Sequence, residues 1–320
     1  MAAAALAIAI GAVIPAAGAK AAGGSGGEWV MRSTGTTFAS PVQWSPVRLS
    51  PWGAALLSPV DGTAGIDLVF VYDESTWVMP STGSSFSGPS EWSSVPFHGS
   101  EATLLGNVRS SSSKDDLVAV NRDSTWVMTN NVSGFNAPAK WSSTPFFGNV
   151  RTMLGDVNGD GTTDLVAVNQ DSTWVMLSNG SAFGAPTKWS STPFYGERET
   201  LLADVTGDHR KDLVAVDGTA TWVMTSTATG FSDPVRWSAL PFFGRPATLA
   251  GDVTGDGKDD LVAVTGDSTW VMRSGGTTFA VPEKWSSANF FSDDVDGTLL
   301  GDLDNDGRAD LIALDGVALN

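Results

Sequence analysis

Residues 156–176 read DVNGDGTTDLVAVNQDSTWVM: a loop with a carboxylate or amide at alternate positions, an apolar run, a polar turn and a second apolar run. Near copies of the loop follow as DVTGDHRKD from 204, DVTGDGKDD from 252 and DLDNDGRAD from 302. The apolar run after the loop recurs as DLVFV from 67, DLVAV from 116, 164, 212 and 260, and DLIAL from 310. Trp29, Trp77, Trp126, Trp174, Trp222 and Trp270 each open a Trp-Val-Met triplet, at spacings of 48, 49, 48, 48 and 48. A second tryptophan series, Trp44, Trp92, Trp141, Trp189, Trp237 and Trp285, trails the first by 15 residues. These recurrences divide the chain into six units.

A period near 48 belongs to propellers and solenoids, and the short β-branched or aromatic runs bounded by Gly, Asn, Asp, Ser and Pro read as strands. In the unit quoted above the first strand is TMLGDV (152–157), the second DLVAV (164–168), the third TWVML (173–177) and the fourth AFGAPTKWS (182–190). STPFYG then crosses to the next unit. The second and third strands are apolar without alternation, which suits strands covered on both faces when four-stranded blades stack around an axis. The chain opens in a third strand, EWVM (28–31), and its last run, DLIAL (310–314), is a second strand. Each half-unit completes the other. The sequence therefore predicts an all-β, six-bladed propeller of four-stranded antiparallel blades, closed by pairing the N-terminal and C-terminal half-blades over 28–320.

These units resemble the FG-GAP/VCBS repeats of integrin-type propellers, of secreted bacterial proteins and of a fungal N-acetylglucosamine-binding propeller lectin, over residues 28 to 316. The resemblance implies that the D-x-D-x-D-G-x-x-D loop between the first two strands of a blade binds calcium. This chain departs from the pattern in having shorter repeats than integrins, six units where seven are usual, and two loops that have lost their ligands.

The residues themselves point the same way. With no cysteine in 320 residues and two histidines, a metal must be held by oxygen, which selects calcium or magnesium. Asp156, Asn158, Asp160 and Asp164 stand at loop positions one, three, five and nine, with the Thr162 carbonyl at seven. Asp204, Thr206, Asp208 and Asp212 form a second set, Asp252, Thr254, Asp256 and Asp260 a third, and Asp302, Asp304, Asp306 and Asp310 the richest. His209 replaces a turn glycine in the second set. Position twelve of the first loop is Ala167, in an apolar strand, so the loop is not an EF-hand. Loops 59–67 and 107–116 keep the last aspartate but lose most oxygens, and are expected to stay free of metal. About four structural Ca²⁺ ions would bring the formal charge of −17 to −9.

That acidic balance, with 18 Lys plus Arg, argues against nucleic-acid partners. Residues 1–21 read as a secretory signal peptide and 22–27 as a flexible linker, so the mature chain is expected to be extracellular, with no membrane span. The crossings carry a ring or imidazole at one recurrent place: Trp52, His98, Phe147, Tyr195, Phe243 and Phe291. Such faces can stack on sugars, and the lectin resemblance implies a carbohydrate or cell-surface glycan ligand; wedging between blades competes with that reading, as the preceding Phe97, Phe146, Phe194, Phe242 and Phe290 do already. Both tryptophan series are expected in the core. No convergent catalytic set is visible. The chain reads as a non-catalytic, lectin-like or adhesive binding module, with a structural or protein-interaction propeller as the alternative and a secreted hydrolase or lyase as the second.

Overall fold

The structure, a computed structural model, describes residues 27–47, 49, 53–63, 65–109, 114–131, 133–291 and 297–315. The signal peptide, most of the linker and Trp52 lie outside the described residues. Strands β1 (Gly27–Met31) and β2 (Val42–Ser45) open the chain. Blade 1 follows as β3 (Ala54–Ser58), β4 (Asp67–Val71), β5 (Thr76–Met79) and β6 (Ser90–Ser93), and blade 2 as β7 (Ala102–Gly106), β8 (Asp116–Val120), β9 (Thr125–Met128) and β10 (Ala139–Ser142). Blade 3 holds β11 (Arg151–Gly155), β12 (Asp164–Val168), β13 (Thr173–Met176) and β14 (Thr187–Ser190). Blade 4 holds β15 (Glu199–Ala203), β16 (Asp212–Val216), β17 (Thr221–Met224) and β18 (Val235–Ser238), and blade 5 holds β19 (Ala247–Gly251), β20 (Asp260–Val264), β21 (Thr269–Met272) and β22 (Glu283–Ser286). Blade 6 is composite: β23 (Thr298–Gly301) and β24 (Asp310–Asp315) from one end of the chain, β1 and β2 from the other.

All blades are antiparallel, and the first strands touch in a closed series, β3 to β7, β11, β15, β19, β23 and back to β3. The fold is a six-bladed β-propeller. Its closure runs through β1 and β24, with Glu28 opposite Leu314, Trp29 opposite Ala313 and Val30 opposite Ile312. The strand begins one residue earlier than the sequence suggests, at Gly27 opposite Asp315.

The core sits between blades rather than inside them. Second-strand side chains alternate between neighbours: Leu165 and Ala167 pack with blade 2 residues such as Leu104, Val118 and Trp141, whereas Val166 and Val168 pack with Leu202, Leu213 and Ala215 of blade 4. A period-two pattern split between two apolar interfaces explains the unbroken DLVAV run. Each fourth-strand tryptophan meets a phenylalanine of the next blade, Trp141 with Phe183 at 5.6 Å and Trp285 with Phe38 at 5.5 Å, and accepts that residue's amide on its carbonyl.

Two expectations need correction. The fourth strand is shorter than read: Phe183 makes an isolated bridge with Ser178, Pro186 has no amide hydrogen to donate to a ladder, and pairing resumes only at Thr187. The first tryptophan series is half-buried rather than core. Its indoles cap the groove between blades: the Trp174 Nε1 donates to Ser172 and the Lys188 ammonium lies 5.2 Å from the ring centre. An amphipathic ring fits such a rim, apolar body inward and N–H at the edge.

Strand direction sorts the loops onto two faces. First-to-second loops and third-to-fourth hairpins share one face; second-to-third turns and the crossings share the other.

Candidate functional site

The acidic loops are built on one buried carboxylate repeated six times. Asp67, Asp116, Asp164, Asp212, Asp260 and Asp310 open the second strands and are wholly buried. The Oδ1 of each accepts the amide of the residue two places after the Trp-Val-Met triplet: Ser81 at 2.9 Å, Asn130 at 2.8 Å, Ser178 at 2.9 Å, Ser226 at 2.8 Å, Ser274 at 2.7 Å and Ser33 at 2.8 Å. The side chains of those same residues reach the preceding blade. Ser33 donates to the Val253 carbonyl at 2.6 Å, Ser81 to Leu303 at 2.6 Å, Asn130 to Val60 at 2.8 Å, Ser178 to Val108 at 2.7 Å, Ser274 to Val205 at 2.5 Å, and Ser226 to Val157. This node escaped the sequence reading, although the fixed Ser or Asn after each triplet was its signal. It also means that the ninth-position aspartate has a structural task in every blade.

In the four rich loops the first aspartate stitches the turn. Asp156 accepts the amides of Gly159 at 2.6 Å and Gly161 at 2.8 Å, Asp204 those of Gly207 at 2.7 Å and His209 at 2.8 Å, Asp252 those of Gly255 at 2.6 Å and Gly257 at 2.7 Å, and Asp302 those of Asp306 at 3.1 Å and Gly307 at 3.0 Å. His209 takes the same left-handed turn as Gly161, Gly257 and Gly307, with φ of 68° against 84°, 82° and 85°. The third position holds Asn158, whose amide donates to Asp160 at 2.8 Å, or Thr206 and Thr254, whose hydroxyls face Asp204 and Asp252 at 3.4 and 3.2 Å. The fifth-position acids turn to the seventh residue: Asp208 to Arg210, Asp256 to Lys258 at 2.9 Å, Asp306 to Arg308, and Asp160 to the amide of Thr162 at 2.8 Å.

Among the described residues, Asp302, Asp304 and Asp310 form an acidic group whose candidate ligand atoms lie within 4.8 Å of one another. Asp306, expected in the same set, pairs with Arg308, and Asp304 pairs with Arg32 at 3.2 Å. Burial pushes Asp164 and Asp310 up to about 8 and Asp212 and Asp260 up to about 7, and neighbouring carboxylates push further in the same direction. The Asp310 Oδ2 is buried without a hydrogen-bond partner. Two oxygens sharing one calcium at about 2.4 Å can stand at most about 4.8 Å apart, so the all-oxygen set of Asp302, Asp304 and Asp310 fits that ion.

On the opposite face the crossing rings divide. His98, Phe147 and Tyr195 are exposed, the last two at 36% and 43%. Phe243 is half-buried under the Arg198 guanidinium, 4.7 Å above its ring, and Phe291 is buried. The preceding Phe97, Phe146, Phe194, Phe242 and Phe290 are buried wedges between blades, as expected.

Comparison with known proteins agrees with this architecture. The FG-GAP-like repeat model matches residues 156–215 and 252–313. A lectin of Agrocybe aegerita that recognises non-reducing terminal N-acetylglucosamine superposes with a TM-score of 0.60 at 17% identity, over 91% of this chain and 80% of that one. The Photorhabdus luminescens Tc holotoxin pore aligns with a TM-score of 0.60 at 15% identity, over 91% of this chain but 16% of the toxin chain. No curated protein sequence matches. The molecule is a six-bladed β-propeller carrying FG-GAP-like repeats.

Proposed function

We propose that this propeller is an extracellular, calcium-stabilised, non-catalytic binding module whose ligand is a carbohydrate taken on the crossing face. The observation that carries the ligand reading is the exposure of Phe147 and Tyr195 at successive blade junctions, where the neighbouring phenylalanines already do the wedging. Flat apolar rings with a phenol or imidazole at hand suit the face of a sugar ring. The sugar that the lectin propeller recognises, N-acetylglucosamine, is the first to try. Calcium, bound on the other face through Asp302, Asp304 and Asp310, and through the equivalent oxygens of the loops at 156, 204 and 252, would neutralise clustered carboxylates and clamp the corner between first and second strands. It would take no part in chemistry.

A glycan array with the intact chain tests the reading. Binding that weakens at least tenfold in Tyr195→Ala, with an unchanged melting curve, supports it; an array with no binder at all defeats it. Chelation is the companion measurement, expected to lower Tm by several degrees or more.

One observation favours a protein partner instead. Val235 and Val42, in the outer strands of blades 4 and 6, and Val281, two residues before the outer strand of blade 5, stand exposed at 54%, 57% and 70%. Such a partner would be lost on changing these valines to serine and kept in Tyr195→Ala.

A further inference from the structure

One buried aspartate recurs in six blades, and its second oxygen is satisfied in contrasting ways. In blade 1 the Asp67 Oδ2 accepts the backbone amides of Val60 at 2.9 Å and Asp61 at 3.0 Å, whereas in blades 3 to 5 the same oxygen accepts a single longer amide, from Val157 at 3.3 Å, Thr206 at 3.2 Å and Val253 at 3.3 Å. In blade 6 the Asp310 Oδ2 has no partner and stands with the oxygens of Asp302 and Asp304. In blade 2 a cation of the protein itself fills the place. The Arg109 Nε lies 3.1 and 2.9 Å from the two oxygens of Asp116, its Nη2 2.6 Å from Oδ1, and the same Nη2 donates to the Asn130 carbonyl at 3.0 Å.

Arg109 is the third residue of its loop, counted from Asn107. The third residue of the blade 3 loop is Asn158 and that of the blade 6 loop is Asp304. At a position where other blades offer an oxygen to a cation, blade 2 therefore supplies the cation. We propose that the Arg109 guanidinium is the resident cation of blade 2, standing where blades 3 to 6 take a metal ion, so that this corner closes without metal.

The physical case is geometric. The planar fork gives a carboxylate two directed, charge-assisted bonds and stays protonated at any working pH. Asp116 is wholly buried and the Arg109 side chain is 23% exposed, so the pair sits where an unpaired charge is costly. A chelator cannot remove such a cation. Metal dependence is thereby confined to the arc of blades 3 to 6, and blades 1 and 2 hold their corners by amides and by arginine.

The comparison with blades 3 to 6 rests on the calcium reading above, whereas the Arg109 to Asp116 pairing stands alone, and the experiment separates them. Bound calcium is counted by atomic emission in the full chain after gel filtration from calcium buffer. Asp116→Asn is expected to leave the count unchanged, and Asp310→Asn to lower it by one; a lower count in Asp116→Asn overturns the proposal. In a second arm, run in chelator, Arg109→Met lowers Tm by roughly 5–10 °C. Adding Asp116→Asn to Arg109→Met recovers most of that loss, because the stranded charge is gone. A double variant no more stable than Arg109→Met means that the arginine acts through packing, and the proposal falls. Calcium absent from every variant defeats the metal reading of blades 3 to 6, while the double-variant comparison still judges the arginine.

Discussion

Asp115 shows what burial does to a carboxylate that accepts a serine hydroxyl. It is 3% exposed, accepts the Ser58 hydroxyl on Oδ2 at 2.6 Å, and is pushed up to about 7, by burial first and then by the charge of Asp116, against the lowering effect of the serine. The unfolded chain releases this proton near pH 4 and the folded chain near pH 7, so between those limits the folded state binds more protons and stability falls as pH rises. Asp67, raised to about 6 by burial, acts in the same sense. Asp115→Asn removes the proton from this balance. In urea titrations under chelator the variant should match the natural chain near pH 4 and exceed it by roughly 1–4 kcal/mol at pH 8; an equal difference at both pH values would refute the account. His209 is the second residue-scale case. Its left-handed φ of 68° is one that glycine adopts at the equivalent place in the other three loops, and an L side chain there costs about 1–2 kcal/mol. His209→Gly is therefore expected to raise Tm by about 2–4 °C, net of glycine's greater unfolded-state entropy, and a lower Tm would show that the imidazole contributes more than the turn costs.

At the scale of the elements, stability lies in the joints between strands as much as in the ladders. Ser178 ties its own blade to Asp164 through its amide and the preceding blade to itself through its hydroxyl on the Val108 carbonyl, with both ends buried. Ser178→Ala keeps the first bond and strands the carbonyl. The expected loss is about 1–3 kcal/mol, read from denaturant melts, with the m-value unchanged; a loss no larger than that of an exposed control such as Ser181→Ala would contradict the joint. Five of the six second strands were legible residue for residue, as Asp164–Val168 shows, since an apolar run between turns suffices; the sixth runs one residue further, to Asp315. The ring closure was legible too, because EWVM and DLIAL are complementary halves of one blade. The short fourth strand was not, because Phe183 is strand-like in composition but is used as the partner of Trp141 of the preceding blade. The half-exposure of Trp174 was likewise hidden, since repetition marks a residue as structural without saying which side of a rim it occupies. The acidic corners were legible as oxygen sets, while the pairing of Asp306 with Arg308 depends on a side chain that spacing does not describe.

The whole molecule is a circle whose seams repeat one bonding scheme. Loop amides bind the preceding loop's first carbonyl all the way round: Ile66 to Asp302 at 3.0 Å, Asp115 to Pro59 at 3.3 Å, Thr163 to Asn107 at 2.8 Å, Lys211 to Asp156 at 2.8 Å, Asp259 to Asp204 at 2.8 Å and Ala309 to Asp252 at 2.7 Å. Composite blade 6 takes part on both sides, and its phenylalanine and tryptophan continue the outer contacts through Phe38 to Trp285 at 3.3 Å and Phe86 to Trp44 at 3.1 Å. Since every seam is alike, the break in the chain could be moved without altering any of them. Glu28 and Leu314 stand opposite one another, as Thr125 and Val120 do, so Gly27 and Asp315 correspond to Ser124 and Asn121, which are joined by two residues, Arg122 and Asp123. A permuted chain with a two-residue turn from Asp315 to Gly27, opened at the exposed crossing between Ser94 and Val95, should fold as a monomer with Tm within about 4 °C of the unpermuted ring. Ile312→Asp, which places a charge at a wholly buried position in the β1 to β24 seam, should prevent folding of both forms. A permutant that oligomerises, or an Ile312→Asp chain that melts like the natural one, would mean that the circle is not closed through β1 and β24.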